Sequence, residues 1–278
     1  MLANCCCQVG KFIKKIKGCR IDDIYRRGKA IIIRLIDLFP NEGDFSNYAI
    51  GRKKVILTTT NAFSKRKVNK ACGYLVIQLK MTGQLIYGED LKTIENLKET
   101  KVTFKLSDGH YLNYNDQRLF GRLSFVKRLE DHPYLQSIGI EPLSDGFNAE
   151  WLKKELKQRK TPVKMLLMKQ EFLAGIGNIY ASEILFHARI HPKKSARTLN
   201  VSQVQSLCVE TKDILKRAIK FRGSSMRNYR DSFGEKGRFM SQIKVYGREN
   251  EACFNCKTPI TRIVQGARST FFCKKCQH

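Results

Sequence analysis

Four cysteines near the C-terminal end are spaced like a metal site: Cys253-Phe254-Asn255-Cys256, sixteen intervening residues, then Cys273-Lys274-Lys275-Cys276. Two C-x-x-C knuckles supply four soft thiolates, the set that holds a structural Zn²⁺ in a tetrahedron. A redox dithiol or a chance pairing is the alternative. Between the knuckles, Thr258-Pro259-Ile260 and the run from Gln265 to Phe272 read as two strands around a turn, with Arg268 at or near it. A hairpin this small has little core, so the metal would fold it and hold Arg268 rigidly.

Two further stretches carry charge chemistry. Gly175-Ile176-Gly177-Asn178 precedes the helical run Ile179-Tyr180-Ala181-Ser182-Glu183, which puts a tight turn on a helix N-terminus. Backbone N–H groups there favour an anion such as a DNA phosphate. A glycine turn between packed helices explains the same residues. Arg26-Arg27-Gly28-Lys29 is a basic turn between two β-rich segments, Arg20 to Tyr25 and Ala30 to Leu35. On charge alone Lys29 reads equally as a solvated turn lysine.

The chain of 278 residues holds 52 Lys and Arg against 25 acidic residues, a net charge of +27. That length suggests two or more domains, and that excess points to a polyanion, either nucleic acid or an anionic membrane. No apolar run approaches the roughly 20 residues needed to span a bilayer, and no signal-peptide pattern opens the sequence. The basic residues lie beside turn and cap residues, not along one amphipathic helix, which favours nucleic acid. Cys5, Cys6, Cys7, Cys19, Cys72 and Cys208 have no framework spacing, which suits a reducing, intracellular setting. Three adjacent cysteines do not readily share one ion's tetrahedron, so Cys5 to Cys7 carry no metal expectation.

The elements that must position these residues follow two periods. Leu75, Ile77 and Leu79 recur at every second position and lead into Lys80-Met81-Thr82-Gly83. Val102, Phe104 and Leu106 alternate, turn at Ser107-Asp108-Gly109 and return as Tyr111-Leu112-Asn113-Tyr114, a hairpin signal. The first part is therefore mainly antiparallel β, a sandwich closing near Phe125. Residues 38–71 read as an inserted, mostly loop excursion with Val55-Ile56-Leu57 in its middle.

Beyond it the period turns helical. Asn148 caps a helix over 149–158, and Thr161-Pro162 reads as a cap with proline at the first helical position. Ser202 and Gln205 read as a capping box before Val204, Leu207, Cys208, Thr211, Ile214, Leu215 and Ala218, which share one face. Residues 223–241 are glycine-punctuated, either a loop that orders on a ligand or a linker.

In this order the motifs resemble the bacterial-type formamidopyrimidine-DNA glycosylase family. The likeness covers about 12–37 and 73–278, through Arg26-Arg27-Gly28-Lys29, Met81-Thr82-Gly83, Asp116-Gln117-Arg118-Leu119-Phe120-Gly121, the Gly175 to Glu183 run, Val245-Tyr246-Gly247-Arg248 and the ribbon. The sister group, endonuclease VIII, shares the ribbon and the helix-two-turn-helix. Ile140-Glu141-Pro142-Leu143 and the 223–239 stretch are closer to the formamidopyrimidine branch.

The resemblance implies an α+β multidomain chain. Its expected parts are an N-terminal antiparallel β-sandwich over 1–125, a linker over 126–147, a helix-two-turn-helix domain over 148–222, a lesion-capping loop over 223–242 and a zinc-ribbon finger over 243–278. It implies a base-excision repair glycosylase and AP lyase that removes 8-oxoguanine and formamidopyrimidines through a Schiff base, then nicks the strand by β,δ-elimination. Its partner would be double-stranded DNA with an oxidised purine or abasic site. It would be a monomer with one structural zinc on Cys253, Cys256, Cys273 and Cys276, cytoplasmic and nucleoid-associated.

Met81, Arg118 and Phe120 match the family's wedge, which fills the gap left by the extruded base. Periodicity alone favours core packing for Met81 and Phe120. Lys160, Asn178 and Arg268 match phosphate contacts, Arg268 also the proton donor of the second elimination, and Lys29 the lysine that assists the first.

The sequence departs from the family at its start. Family members open with Pro-Glu, whose secondary amine, titrating near about 8, is the nucleophile. Met1-Leu2-Ala3-Asn4 has neither residue, and the expectation is that the true start lies upstream. A catalytically silent lesion-binding zinc protein is the alternative. Leu119 stands where the family has arginine, and a position often histidine falls near Glu99.

Overall fold

Apolar strands paired into two sheets build the first half. In strand β2 (Ala30–Ile36) every residue but Ile31 and Arg34 is buried, because the strand lies centrally in its sheet. The structure is a computed structural model that describes residues 12–36, 54–57, 71–94, 98–224 and 231–278, with 54–57, 71 and 93–94 described as backbone only. Cys5 to Cys7, most of the 38–71 excursion and residues 225–230 lie outside the described residues.

One sheet has the order β1-β2-β4-β8, with β1 Arg20–Arg27, β4 Ala71–Gln78 and β8 Arg122–Val126. The other has the order β3-β6-β7-β5, with β3 Lys54–Leu57, β5 Gly83–Gly88, β6 Thr100–Leu106 and β7 Tyr111–Asp116. Ile33, Leu35, Leu75 and Ile77 from the first sheet share a core with Phe104 and Leu106 from the second, so the two form a sandwich. A helical turn over 12–16 adds Ile16 to that core.

Two details differ from the sequence reading. The sandwich is not wholly antiparallel: β3 runs parallel to β6, with Val55 opposite Phe104. The middle of the expected excursion is therefore a strand, since an apolar run beside an open sheet edge gains hydrogen bonds by pairing.

The described residues divide into two units. The first holds those up to Gln136 with those between Arg227 and Lys236; the second holds Ser137 to Met226 and Gly237 to His278. The second unit is built on helices α1 (Ala149–Leu156), α2 (Val163–Leu167), α3 (Asn178–His187) and α4 (Val201–Lys220), followed by strands β9 (Thr261–Gln265) and β10 (Arg268–Phe272). Its core gathers Leu152, Leu156, Leu166, Leu167, Ile184, Leu185, Leu207 and Ile214 from the four helices.

Caps define the helix ends. Asn148 accepts from the Trp151 N–H at 2.8 Å, and α1 stops at Leu156. Pro162 is itself the cap of α2, at ψ 135, so Val163 and not the proline is the first helical residue. The capping box on α4 is Asn200 with Gln203, two residues before the expected pair: Asn200 Oδ1 accepts from Gln203 N at 2.8 Å and Gln203 Oε1 from Asn200 N at 3.3 Å. A 3₁₀ turn over Ala196–Thr198 leads straight into it and fixes the earlier start.

Candidate nucleic-acid interface and metal centre

In the sandwich unit, the residues expected to meet DNA sit on turns. β1 and β2 are joined by Gly28-Lys29, with Arg27 opposite Ala30; a two-residue turn needs a positive φ, and Gly28 supplies it at +59°. Arg26 donates to the Gly28 carbonyl at 2.6 Å, and the Lys29 N–H donates to Tyr134 Oη at 2.8 Å. The turn is thus fixed while the Lys29 side chain is exposed.

Met81, Arg118 and Phe120 occupy two loops of the same unit. Met81 is 68 % exposed and Phe120 52 %, which removes core packing as the account of either. The Arg118 guanidinium lies over the Phe120 ring at 4.7 Å, a cation–π pair that braces both side chains.

Asp116, 1 % exposed, ties the two loops together. Its Oδ1 accepts from Thr82 Oγ1 at 2.5 Å, and its Oδ2 from Gly121 N at 2.8 Å and Tyr114 Oη at 3.0 Å. Thr82 Oγ1 in turn accepts from Arg118 N at 3.0 Å. Burial alone would raise the Asp116 carboxyl, but these donors outweigh it and hold it below the ordinary carboxylate value. Sequence reasoning quoted Asp116 in a motif and gave it no task.

The second unit brings together Asn178, Arg268 and a residue that sequence reasoning missed, Lys164. Lys164 is fully buried on α2 and donates to Asn178 Oδ1 at 2.6 Å, Thr270 Oγ1 at 2.6 Å and the Ser269 carbonyl at 3.4 Å. Burial, helped by the Arg268 charge, lowers its pKa to about 8. Asn178, first residue of α3, donates to the Ser269 carbonyl at 2.9 Å and Tyr246 Oη at 3.2 Å. Its side chain therefore ties helix to hairpin, and what it leaves for an anion is the helix's first-turn backbone N–H groups. Lys160 is exposed on the connection between α1 and α2.

Arg268 opens β10 directly after Gly266-Ala267, both at φ +57°, as a type I′ turn requires. A Cβ on Gly266 would lie 2.2 Å from Met165 Cε, so the turn packs against the end of that side chain on α2, and the positive φ favours glycine there. Arg268 is exposed, with its guanidinium 3.9 Å from Met168 Sδ.

Three buried side chains anchor the ribbon within its unit. Glu183 on α3 accepts from the N–H groups of Lys244, Val245 and Tyr246 at 2.7, 3.0 and 2.8 Å; burial raises its pKa, and these donors counter the rise. Gln277 donates to the Ile190 carbonyl at 2.9 Å, and Gln265 to the Pro192 carbonyl at 3.2 Å. Ribbon and helices also share a small core, with Phe186 of α3 packed among Val245, Ile260, Phe271 and Cys273.

The sulfurs of Cys253, Cys256, Cys273 and Cys276 all lie within 4.8 Å of one another, with the pairs Cys253–Cys276 and Cys256–Cys273 at 3.9 and 3.4 Å. A tetrahedral Zn²⁺ with Zn–S bonds near 2.3 Å puts its sulfurs about 3.8 Å apart, so the cage fits that ion. The Thr258 hydroxyl pulls the Cys256 thiol down to about 6, whereas burial pushes Cys273 and Cys276 up. Four thiolates coexist there only around a cation. All four positions are taken by sulfur, which makes the site structural.

Comparison with known proteins gives the same picture along the chain. Three family profiles match: the formamidopyrimidine-DNA glycosylase N-terminal domain over residues 3–123, the formamidopyrimidine-DNA glycosylase H2TH domain over 138–230, and a zinc finger found in FPG and IleRS over 250–278. The chain is 42 % identical over 205 residues to a formamidopyrimidine-DNA glycosylase of Desulforamulus reducens, covering 73 % of each protein. It is 40 % identical over 206 residues to one from an Enterobacter species, covering 74 % of this chain and 76 % of that one. Among solved structures it resembles the MutM (FPG) protein of Thermus thermophilus, with a TM-score of 0.75 and 32 % identity over 95 % of this chain and 85 % of that one. Lactococcus lactis Fpg in complex with DNA containing an abasic site gives a TM-score of 0.76 and 29 % identity, covering 96 % and 86 %.

Proposed function

The chain belongs to the formamidopyrimidine-DNA glycosylase family, and from that we propose a base-excision repair enzyme that removes oxidised purines from duplex DNA and cleaves the abasic strand. The observation that carries this reading is the exposed wedge of Met81, Arg118 and Phe120 on two loops tied through one buried carboxylate. A zinc-ribbon protein that merely binds nucleic acid needs no side chains to fill a gap in a base stack.

Met81 and Phe120 enter the stack when the damaged base is extruded, and the Arg118 guanidinium faces the orphaned base. Lys160, Arg268 and the first turn of α3 hold phosphates around the lesion, with Asn178 fixing that turn to the hairpin. The zinc folds the ribbon and so fixes Arg268.

The chemical steps need an amine on the sugar C1′, protons for the departing base and the opened ring oxygen, and abstraction of a carbon-bound proton in each elimination. An uncharged amine displaces the base and forms a Schiff base with the opened sugar, which acidifies the C2′ proton. Lys29 assists the first elimination, and Arg268 protonates the leaving oxygen in the second. The protein would work at the nucleoid, in the cytoplasm, as a monomer.

Borohydride trapping on a duplex carrying 8-oxoguanine opposite cytosine tests the reading. A covalent protein–DNA band is expected, because borohydride reduces a Schiff base to a stable amine. No band, with lesion binding retained, would overturn the enzymatic assignment in favour of a lesion-binding protein.

A further inference from the structure

Ile36 at the end of β2 pairs with Arg20 on one side and with Ala71 on the other. The residues next to those two partners are Cys19 and Cys72, whose side chains meet at that end of the sheet. Their sulfurs are 3.2 Å apart although 53 positions separate them in sequence. Cys72 sits in a bulge, where the β2–β4 register shifts between Leu35 and Ile36. Neither sulfur belongs to the zinc cage.

We infer that Cys19 and Cys72 are an oxidant-responsive thiol pair that closes into a disulfide and staples edge strand β1 to β4. A disulfide bond is about 2.05 Å long, so the sulfurs need to approach by only about 1.1 Å. A bulge residue, bound less tightly by the ladder than its neighbours, accommodates such a shift.

The two thiols are placed for different steps. Cys72 is partly exposed and Cys19 is 4 % exposed, so a peroxide reaches Cys72 first. The Cys72 sulfur attacks the O–O bond, one oxygen leaves as water and the sulfur becomes a sulfenic acid. The Cys19 sulfur then displaces the hydroxyl as a second water, forming the S–S bond. Two thiols are oxidised by two electrons in all, and one hydrogen peroxide is reduced to two waters.

The staple closes a loop that contains the β1–β2 hairpin and its Lys29 turn. β1 is hydrogen-bonded to β2 alone among the strands of its sheet, so its N-terminal end depends on few contacts. A crosslink there removes open states of the edge strand that the reduced chain visits.

The test uses the whole zinc-loaded chain. It is treated with hydrogen peroxide, alkylated and digested with trypsin without reduction. A linked pair of peptides, Gly18-Cys19-Arg20 with the 71–80 peptide, is expected and should vanish on adding dithiothreitol. Amide exchange over 20–27 should slow several-fold in the oxidised protein and recover on reduction, with zinc content unchanged. In Cys72→Ser the oxidant should leave that exchange unaltered. Oxidation elsewhere without the linked pair, linkage of Cys19 or Cys72 to Cys5, Cys6 or Cys7 instead, or slowing that persists in Cys72→Ser would each overturn the pair.

Discussion

At the scale of single residues, buried charges set the geometry that exposed ones use. Asp116→Asn keeps the side chain's size but turns one acceptor into a donor, which then faces either the Thr82 hydroxyl or Gly121 N–H and Tyr114 Oη. Leaving a buried donor unpaired costs about 1–3 kcal/mol. The wedge loops should loosen, and preference for lesion over undamaged duplex should fall roughly tenfold, 1.4 kcal/mol being one decade. Competition binding checks this, and unchanged preference would remove Asp116 from the wedge. The substitution also has a pH signature: a carboxyl depressed on folding stabilises above its unfolded value near 4 and loses that contribution as pH falls through its folded value. Asp116→Asn should therefore flatten part of the acid limb of the stability curve. Lys164 gives the opposite window. Its pKa near 8 lies below the unfolded value, so its proton costs stability at neutral pH, and that cost is relieved between about 8 and the ordinary lysine value near 10.4. Binding runs the other way, because deprotonation removes a cation beside Arg268 and weakens the Asn178–hairpin tie. Affinity for duplex should be level below pH 7.5 and fall through pH 8, while Lys164→Gln should lack that step. A wild-type profile level through pH 8 would show that the Lys164 charge plays no part.

At the scale of elements, the zinc hairpin is held by its metal at one end and by helix contacts along its length. Chelation should release the knuckles while Glu183 and the Ile190 carbonyl, the partners of the ribbon, still belong to a folded helical unit. Helical circular dichroism should persist while specific DNA binding drops at least tenfold, since Arg268 loses its mount. Tight lesion binding by a metal-free sample would refute this. Much of this element was legible beforehand, since two C-x-x-C knuckles specify four ligands by spacing alone and Gly266 marks the turn. The runs at Leu75 and Val102 likewise marked two core strands, although Val76, Gln78 and Thr103 on their other faces are buried as well. What stayed hidden depends on distant partners. Asn-Val-Ser-Gln-Val-Gln contains two overlapping capping boxes, and the 3₁₀ turn before Asn200, not local chemistry, selects the first. β3 joins β6 across more than forty residues, a pairing that no local period encodes. Lys164 reads as a surface lysine until Asn178, Ser269 and Thr270, from two other elements, surround it. Met81 and Phe120 invert the usual rule, since apolar side chains held out in solvent look like core from composition alone.

At the scale of the whole molecule, the dominant physical fact is the net charge of +27. Such a charge raises affinity for any polyanion and speeds encounter, but carries no information about which base is damaged. Specificity must come from the wedge and affinity from phosphate contacts, and salt separates the two. Each phosphate neutralised on duplex DNA releases counterions and contributes about −0.9 to the slope of log K against log salt. Lys160 and Arg268 alone would give a slope of about −1.8, and further cations that meet the backbone would steepen it. A slope steeper than about −2 is therefore expected for lesion and undamaged duplex alike, since both share the backbone. Lys160→Ala should make it shallower by about one while leaving the lesion-to-undamaged ratio unchanged. Arg118→Ala should do the reverse, lowering the ratio with little change in slope, if its guanidinium faces a base and not a phosphate as proposed. Titrations by fluorescence anisotropy at several salt concentrations measure both quantities. If Lys160→Ala altered the ratio and left the slope alone, the division of labour between backbone cations and wedge would be wrong, even with the fold and the zinc site intact.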